Sequence, residues 1–513
     1  MDLRFGGSPA LLIALGLALA PVGMAHSAEA ADNVLSRAND SQEQWFRQQL
    51  AQAHAMARAN QFDRAGIAFA RLVDDPMLAS LPVAEQRAAL SRAGWVAIQR
   101  NDLTRALPLY RRAVAVDDSD PDDWYRIAMI EVDERRFDAG AVAFTQIVER
   151  WPHLLKNVEE RPIMTLVRES TTGSPERVAL LRALFDANWN GRLGASSEVW
   201  YELAVEAMDR NDPNTARAAI TRIASPRPLV RLHADKRFDS VMPGAGWATN
   251  AERAAQLEID ALSEQAELAP DDLEVRAYLM GALLTAGQTQ QALDLATRTL
   301  DTIAQASPDE PPFKNLDDQV WLMNDRAIAL RRLGRTDEAL TELQRAAQLS
   351  EEGDQNVSQA LNLGVFYCSL NRPDDALAAI RTLGQVSGYG RMVEAGVRHC
   401  ANLLKGNRSA ARKALAYLRD HRKEGQQAYL EALLYQGDLD TAAAQLRELL
   451  STSAERGGTL RWVQDYLRPA PLPGDVAARE ARKALLARAD VREAIDAVGR
   501  IAHYDLYLTS EMD

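Results

Sequence analysis

The sequence predicts an all-α protein, a right-handed superhelical solenoid of stacked helix-turn-helix repeats. Three observations carry that expectation. A pattern returns after 34 residues, where Asn101-Asp102-Leu103 with Ala106 and Tyr110 is matched by Arg135-Arg136-Phe137 with Gly140 and Phe144. Turn residues, most of them Asn or Gly, recur at Asn60, Asn101, Arg135, Asn211, Gly287, Gly334, Asn371, Gly406 and Gly437; Asn and Gly tolerate the left-handed backbone that ends a helix. Aromatics make up only 6% of the chain while Ala, Leu, Arg and Glu abound, and these residues lose little rotamer freedom in a helix.

Composition narrows the function before any motif is read. With 47% hydrophobic and 26% charged residues the 513-residue chain has the balance of a globular protein. A formal net charge of -13 argues against nucleic acid as a partner, because phosphate binding needs a basic face. Two cysteines are too few for a disulfide-built scaffold, so burial must hold the core.

Taken in order, the chain opens with Arg4, an apolar run Ala10 to Ala20, Pro21, and the small-residue site Ala28-Glu29-Ala30. This is the layout of a secretory signal peptide over residues 1–30, cleaved near Ala30, and the apolar run is shorter than the ~20 residues a membrane span needs. Removing it takes out Asp2, Arg4 and Glu29 and leaves a formal charge of -12. No integral membrane span is expected afterwards.

Helical pairs then follow one another. Asn60-Gln61-Phe62 with Ala65 and Phe69 gives the first turn and second helix, and Asn101 the next. Trp124, Ile127 and Ala128 open a unit that continues through Phe137, Gly140 and Phe144 to Pro152; Trp200, Leu203 and Ala204 open another, with Ala216, Ile220 and Pro228. Leu363-Gly364 and Tyr367 begin a third, with Ala376 and Ile380 after the turn. Weaker copies turn at Gly287, Gly334, Gly406 and Gly437. Two spacings of 76 residues, Arg135 to Asn211 and Asn211 to Gly287, each leave room for a degenerate pair, one around Ser174 to Asn190 and one around Asn250 to Pro270. One pair cannot bury its apolar face alone, so neighbours must stack.

These residues and their period resemble the tetratricopeptide repeat, in its exported bacterial form, over about Asp40 to Leu450. Few units carry its opening Trp or closing Pro. Breaks at Pro226-Arg227-Pro228 and Pro243-Gly244-Ala245-Gly246 read as a terminating cap and linker. They divide the mature chain into one solenoid at 31–245 and a second at 246–467, followed by a capping helix and tail at 468–513. The helix runs Asp475 to Ile501 and the end, His503 to Thr509, alternates like a strand.

Chemistry is sparse. The seven histidines include no pair spaced with a carboxylate for metal, and no G-x-S-x-G elbow, P-loop or dinucleotide fingerprint is present. No cofactor or metal is expected. The acidic run Asp117 to Asp123 reads as a solvated turn, with Asp120 capping a helix and Pro121 at its first position. Cys368 and Cys400 lie on first helices of adjacent repeats, either as a disulfide or as two buried thiols. The groove register of the first helices selects Trp95, Ile98, Tyr125, Met129, Trp321 and Asn324. Aromatics there suit peptide binding, although the same register also serves as core between repeats.

The resemblance implies a non-catalytic scaffold for a protein or peptide partner. With the signal peptide, the expected setting is the periplasm, at or near the outer membrane. The assembly is one of polysaccharide export, phage-receptor or secretion type, with an outer-membrane barrel or export machinery as partner. The alternatives are a hydrolase of envelope polymers on a helical-repeat frame and a ligand-sensing regulator.

Overall fold

A computed structural model describes residues 25–191, 196–242, 250–307, 309–350, 356–384, 386 and 388–508, with side chains from Ser41 onward. Most of the segment expected to be an export signal, and the break at Gly246, lie outside the described residues. The chain forms two compact units that meet between Glu134 and Arg135. The expected boundary near Gly246 therefore falls inside the second unit.

The architecture is all-α and built of successive helix-turn-helix pairs, as the period predicts. The first unit holds α1 (Ala25–Arg58), α2 (Phe62–Leu72), α3 (Val83–Gln99), α4 (Leu103–Val116) and α5 (Pro121–Asp133). The second begins with α6 (Phe137–Arg150), α7 (Glu160–Glu169), α8 (Pro175–Asp186), α9 (Ser196–Asp209), α10 (Pro213–Ile220), α11 (Pro226–Ala234) and α12 (Ala251–Leu268). Four clear pairs follow. They are α13 (Leu273–Thr285) with α14 (Thr289–Gln305), α15 (Gln319–Arg332) with α16 (Thr336–Ala346), α17 (Val357–Ser369) with α18 (Pro373–Ala379), and α19 (Gly388–Leu404) with α20 (Arg408–Asp420). A last pair, α21 (Gln426–Gln436) and α22 (Leu439–Ser451), leads to a terminal block. That block comprises α23 (Ser453–Val463), β1 (Asp465–Tyr466), α24 (Val476–Ala487), α25 (Ala489–Val498) and β2 (His503–Tyr504), with β1 and β2 parallel.

Local chemistry sets these boundaries. All nine expected turn residues have positive φ, from 55° at Asn101 to 77° at Gly334. The next amide then reaches back to the helix it leaves, as when Asp102 N donates to Ala97 O and Asp438 N to Leu433 O. Helix starts are capped by short polar side chains: Asp102, Ser174, Asp212, Asn250, Asn407 and Asp438 each accept from an amide in the first turn. Asp120 caps α5 with Pro121 at its first position, as expected, but the acidic run is not wholly solvated: Asp123 is 1% exposed and accepts from Arg87 at 3.0 Å, because that guanidinium gathers Asp117, Asp120 and Asp123 against α3.

Small residues set the spacing inside each pair. A Cβ on Gly94 would lie 2.8 Å from the Tyr110 ring, so the glycine of α3 seats the tyrosine of α4. Gly364 does the same for Ile380 and Val397. Phe69, Tyr110, Phe144 and Ile220 are buried, as expected for residues filling the space between pairs.

Each wide spacing does hold two extra helices, but only the second of each, α8 and α12, lies in the stretch expected to hold the pair; α7 and α11 start upstream. The first is α7 with α8, turning at Gly173, whose φ is 83°. The second is α11 with α12. The stretch expected to be a cap and linker from Pro226 is thus partly helix: Ser225 precedes α11 and Pro226 takes its first position, where a missing N–H costs nothing. The terminal segment also differs from expectation, being two helices broken at Arg488 in place of one.

Buried charges tie α8 to α9. Arg177 is 3% exposed and pairs with Glu206, at 2%, and with Glu202 at 2.7 Å. Glu206 also accepts from Arg210 and, at 2.8 Å, from Gly173 N, while Arg177 Nε donates to Val167 O at 2.9 Å. The turn of one pair is thereby fastened to the first helix of the next.

Candidate functional site

The surface a repeat array offers a partner is the row of first helices, so the test of a site is what those helices still expose. In the first unit, Trp95 and Ile98 on α3 and Tyr125 and Met129 on α5 are all half-buried. Trp95 stands edge-on to Phe62 of α2 at 5.3 Å, with the Arg92 guanidinium 5.0 Å from its ring centre. One face of the indole serves the core and the remainder stays accessible. On α1, Trp45 is exposed.

The second unit places its two expected residues differently. Trp321 on α15 is 38% exposed. Asn324, one turn on, is 1% exposed and accepts from Asn362 Nδ2 of α17 at 3.0 Å. It is a link between successive first helices and is not open to a partner, because at that position the side chain points toward the next repeat. The six residues therefore divide four and two between the units.

What covers the row in the second unit is the chain itself. At α11 the last carbonyl, Ala234 O, accepts from Arg500 N at 2.9 Å. At α13, Thr285 O accepts from Tyr507 N at 2.9 Å, and at α17, Ser369 O accepts from Gly474 N at 2.7 Å. The terminal block thus donates to carbonyls that a helix C-terminus leaves without an internal partner. Side chains reinforce the track: Arg331 of α15 donates to Ala470 O at 2.7 Å, and Tyr435 of α21 donates to Asp475 at 2.7 Å. Leu472 is buried among the α15, α17 and α19 core, and Arg332 lies 3.9 Å from the Tyr507 ring centre. Further back, Arg500 Nη2 donates to both carboxylate oxygens of Asp239, and Arg237 donates to Ser453 at 2.6 Å.

Cys368 and Cys400 are neighbours beneath this track, both buried and both free thiols. Cys368 Sγ approaches Val397 O at 3.7 Å. The hydrogen bond from its neighbour Cys368, then burial, holds the Cys400 thiol well above its ordinary value, so thiolate is suppressed. The alternative of two buried thiols is the one this structure holds.

None of the residues that fasten the track, Arg331, Leu472, Gly474, Arg500 or Tyr507, was legible as functional. Their partners lie up to 267 positions away, as for Arg500 and His233. The single local signal is the run Pro469-Ala470-Pro471-Leu472-Pro473-Gly474, too proline-rich for helix and therefore extended. Among the described residues, no cluster of three or more His, Cys, Asp and Glu side chains is placed to hold a metal, and no helix is long and apolar enough to cross a membrane.

No protein-family model matches the chain, and no curated protein matches it. Among solved structures, a Rap protein complexed with competence and sporulation factor aligns with 86% of this chain and 99% of its own, at 13% identity and TM-score 0.31. The TPR domain of P58(IPK) aligns with 79% of this chain and 98% of its own, at 13% and 0.19, and yeast Tom70 with 88% and 99%, at 11% and 0.26. With superpositions this loose, the architecture stands on the helix pairs of this chain, and no role passes from those proteins to it.

Proposed function

We propose that this protein is an exported, non-catalytic scaffold that holds a protein or peptide partner against the first helices α3 and α5. One observation carries the reading. Within the first unit, the first helices α3 and α5 keep Trp95, Ile98, Tyr125 and Met129 half-buried, while the row of the second unit is engaged by its own terminal block. Half-buried aromatics on a rigid helix give large contact area with little further loss of side-chain freedom, the feature of binding hot spots. The layout of residues 1–30 supports export to the periplasm, and the surplus of acid suits a soluble envelope protein that serves an assembly of export, receptor or secretion type. A separate barrel or export component would be its partner.

The test is a crosslinking pull-down from the envelope fraction with the native chain and with Trp95→Ala plus Tyr125→Ala. Loss of specific partners from the double variant, with its helicity intact, supports the assignment. An unchanged partner set defeats it.

A further inference from the structure

The stretch Leu467 to Asp475 behaves, in chemical terms, as a bound peptide. It runs free of helix from Leu467 to Leu472 and closes in a turn over Pro473 to Asp475, where Asp475 N donates to Leu472 O at 3.0 Å; it turns Leu472 and Gly474 inward while Ala470, Pro471 and Pro473 face solvent, and it is held by main-chain as well as side-chain bonds. Ala470 O and Pro469 O accept from Arg331 and from Arg479, the latter at 2.6 Å. Gly474 N donates to Ser369 O, and Asp475 closes the stretch on the Tyr435 hydroxyl. The surface beneath it supplies a buried arginine, a slot for one leucine, an unpaired helix-end carbonyl and a phenol. Such a set reads main chain and one apolar anchor, as peptide-binding grooves do.

We propose that residues 468–475 are a built-in ligand for the ends of α15, α17 and α21, and that the second unit takes a partner's extended segment of the same chemistry by exchange with it. The segment it accepts has a leucine bracketed by prolines, followed by a small residue and an acid. This face is distinct from α3 and α5, and its test does not depend on theirs. The stretch lies against the Cys368 carbonyl, and its Leu472 shares one buried cluster with Cys368 and Cys400, which makes their reactivity a reporter of exchange.

Gly474 gives the handle. A Cβ there would lie 2.1 Å from the Cys368 carbonyl oxygen, a backbone atom that cannot step aside. In the full-length Gly474→Val protein, purified reduced, the stretch should lift off without loss of the pairs beneath. Thiol modification by Ellman's reagent should then rise about tenfold or more over the native chain, since local opening exposes both sulfurs. A labelled synthetic peptide of residues 468–475 should bind this variant, fail to bind the native protein, and restore thiol protection. Leu472→Ser, which removes the anchor and leaves the backbone fit alone, should act in the same direction and serves if Gly474→Val is unfolded by circular dichroism. The proposal is overturned if thiols stay sealed in both variants. It is equally overturned if they open and the peptide neither binds nor reseals them, because the stretch is then only a structural brace.

Discussion

Removing the carboxylate of Glu206 should cost far more than its single position suggests. Glu206→Ala leaves the Arg177 guanidinium, 3% exposed, without its closest counter-charge and strips Gly173 N of its acceptor. Breaking a buried pair costs about 3–5 kcal/mol. Arg177 keeps Glu202 at 2.7 Å and Val167 O at 2.9 Å, which sets the loss at the lower end, about 3 kcal/mol. The Gly173 amide adds about 1 kcal/mol, since at a part-exposed turn water can replace much of the bond. The expected total is about 3–4 kcal/mol, centred on α8 and α9 because each pair in an array leans chiefly on its neighbours. Urea unfolding followed by hydrogen exchange at the amides of α8 and α9 measures it. Glu206→Gln, which retains an acceptor for Gly173 and loses only charge, should cost about half as much. A loss under about 1 kcal/mol for Glu206→Ala, or equal losses for the two variants, would refute the reasoning.

Other outcomes follow from the same structure. Arg135 holds a φ of 57°, so Arg135→Gly should stabilise by about 0.5–1 kcal/mol in thermal unfolding, and Asn101→Ala, at 55°, should do the reverse. Gly94→Ala should destabilise the first unit by about 1–3 kcal/mol through the Tyr110 ring, while Gly281→Ala, whose added Cβ meets nothing within 4 Å, should be neutral or gain up to about 1 kcal/mol. Both ring nitrogens of His399 face carbonyls, Ala411 O at 3.0 Å and Ala432 O at 3.1 Å, yet burial, the largest influence, holds its pKa below the ordinary 6.5. The unfolded chain therefore takes up the proton first, and this contribution is whole above 6.5 and lost as pH falls toward the folded value. Stability measured from about pH 7 to about pH 5 should fall less steeply in His399→Gln, though His54 and His233, shifted the same way, keep part of the slope. Ellman titration of the native chain should find no reactive thiol, and after denaturation without reductant it should find both Cys368 and Cys400; none in either state would show them bonded.

The repeat was legible because its determinants are local. A residue such as Asn371 or Gly437 announces a left-handed turn by its own chemistry, and an aspartate before a helix announces a cap, so period and phase come directly from residue type. Asn324 shows where that ends. Its spacing sets it three residues from Trp321 on α15, but whether that position meets solvent or Asn362 depends on how closely α17 approaches. The terminal block lies further out of reach. Arg331 and Gly474 are 143 positions apart in a chain whose repeats contact their neighbours, and no local pattern says that the last residues return along the row. Pro226 misled for a related reason: proline suits a linker and the first turn of a helix equally, and only the packing of α11 beside α9 decides between them.

The terminal block also fixes an order of events in the life of the chain. Pairs such as α13 with α14 can form as soon as their own residues are available, since their contacts are short in sequence. The bonds from Arg500 to Asp239 and from Tyr507 to Thr285 span most of the second unit and must await the synthesis of residues 500–507. Until then the row from α11 to α21 stands assembled but bare. A nascent or clipped chain lacking those residues exposes apolar surface, Leu472's slot among it, that the finished one hides, which is the kind of surface that chaperones and proteases recognise.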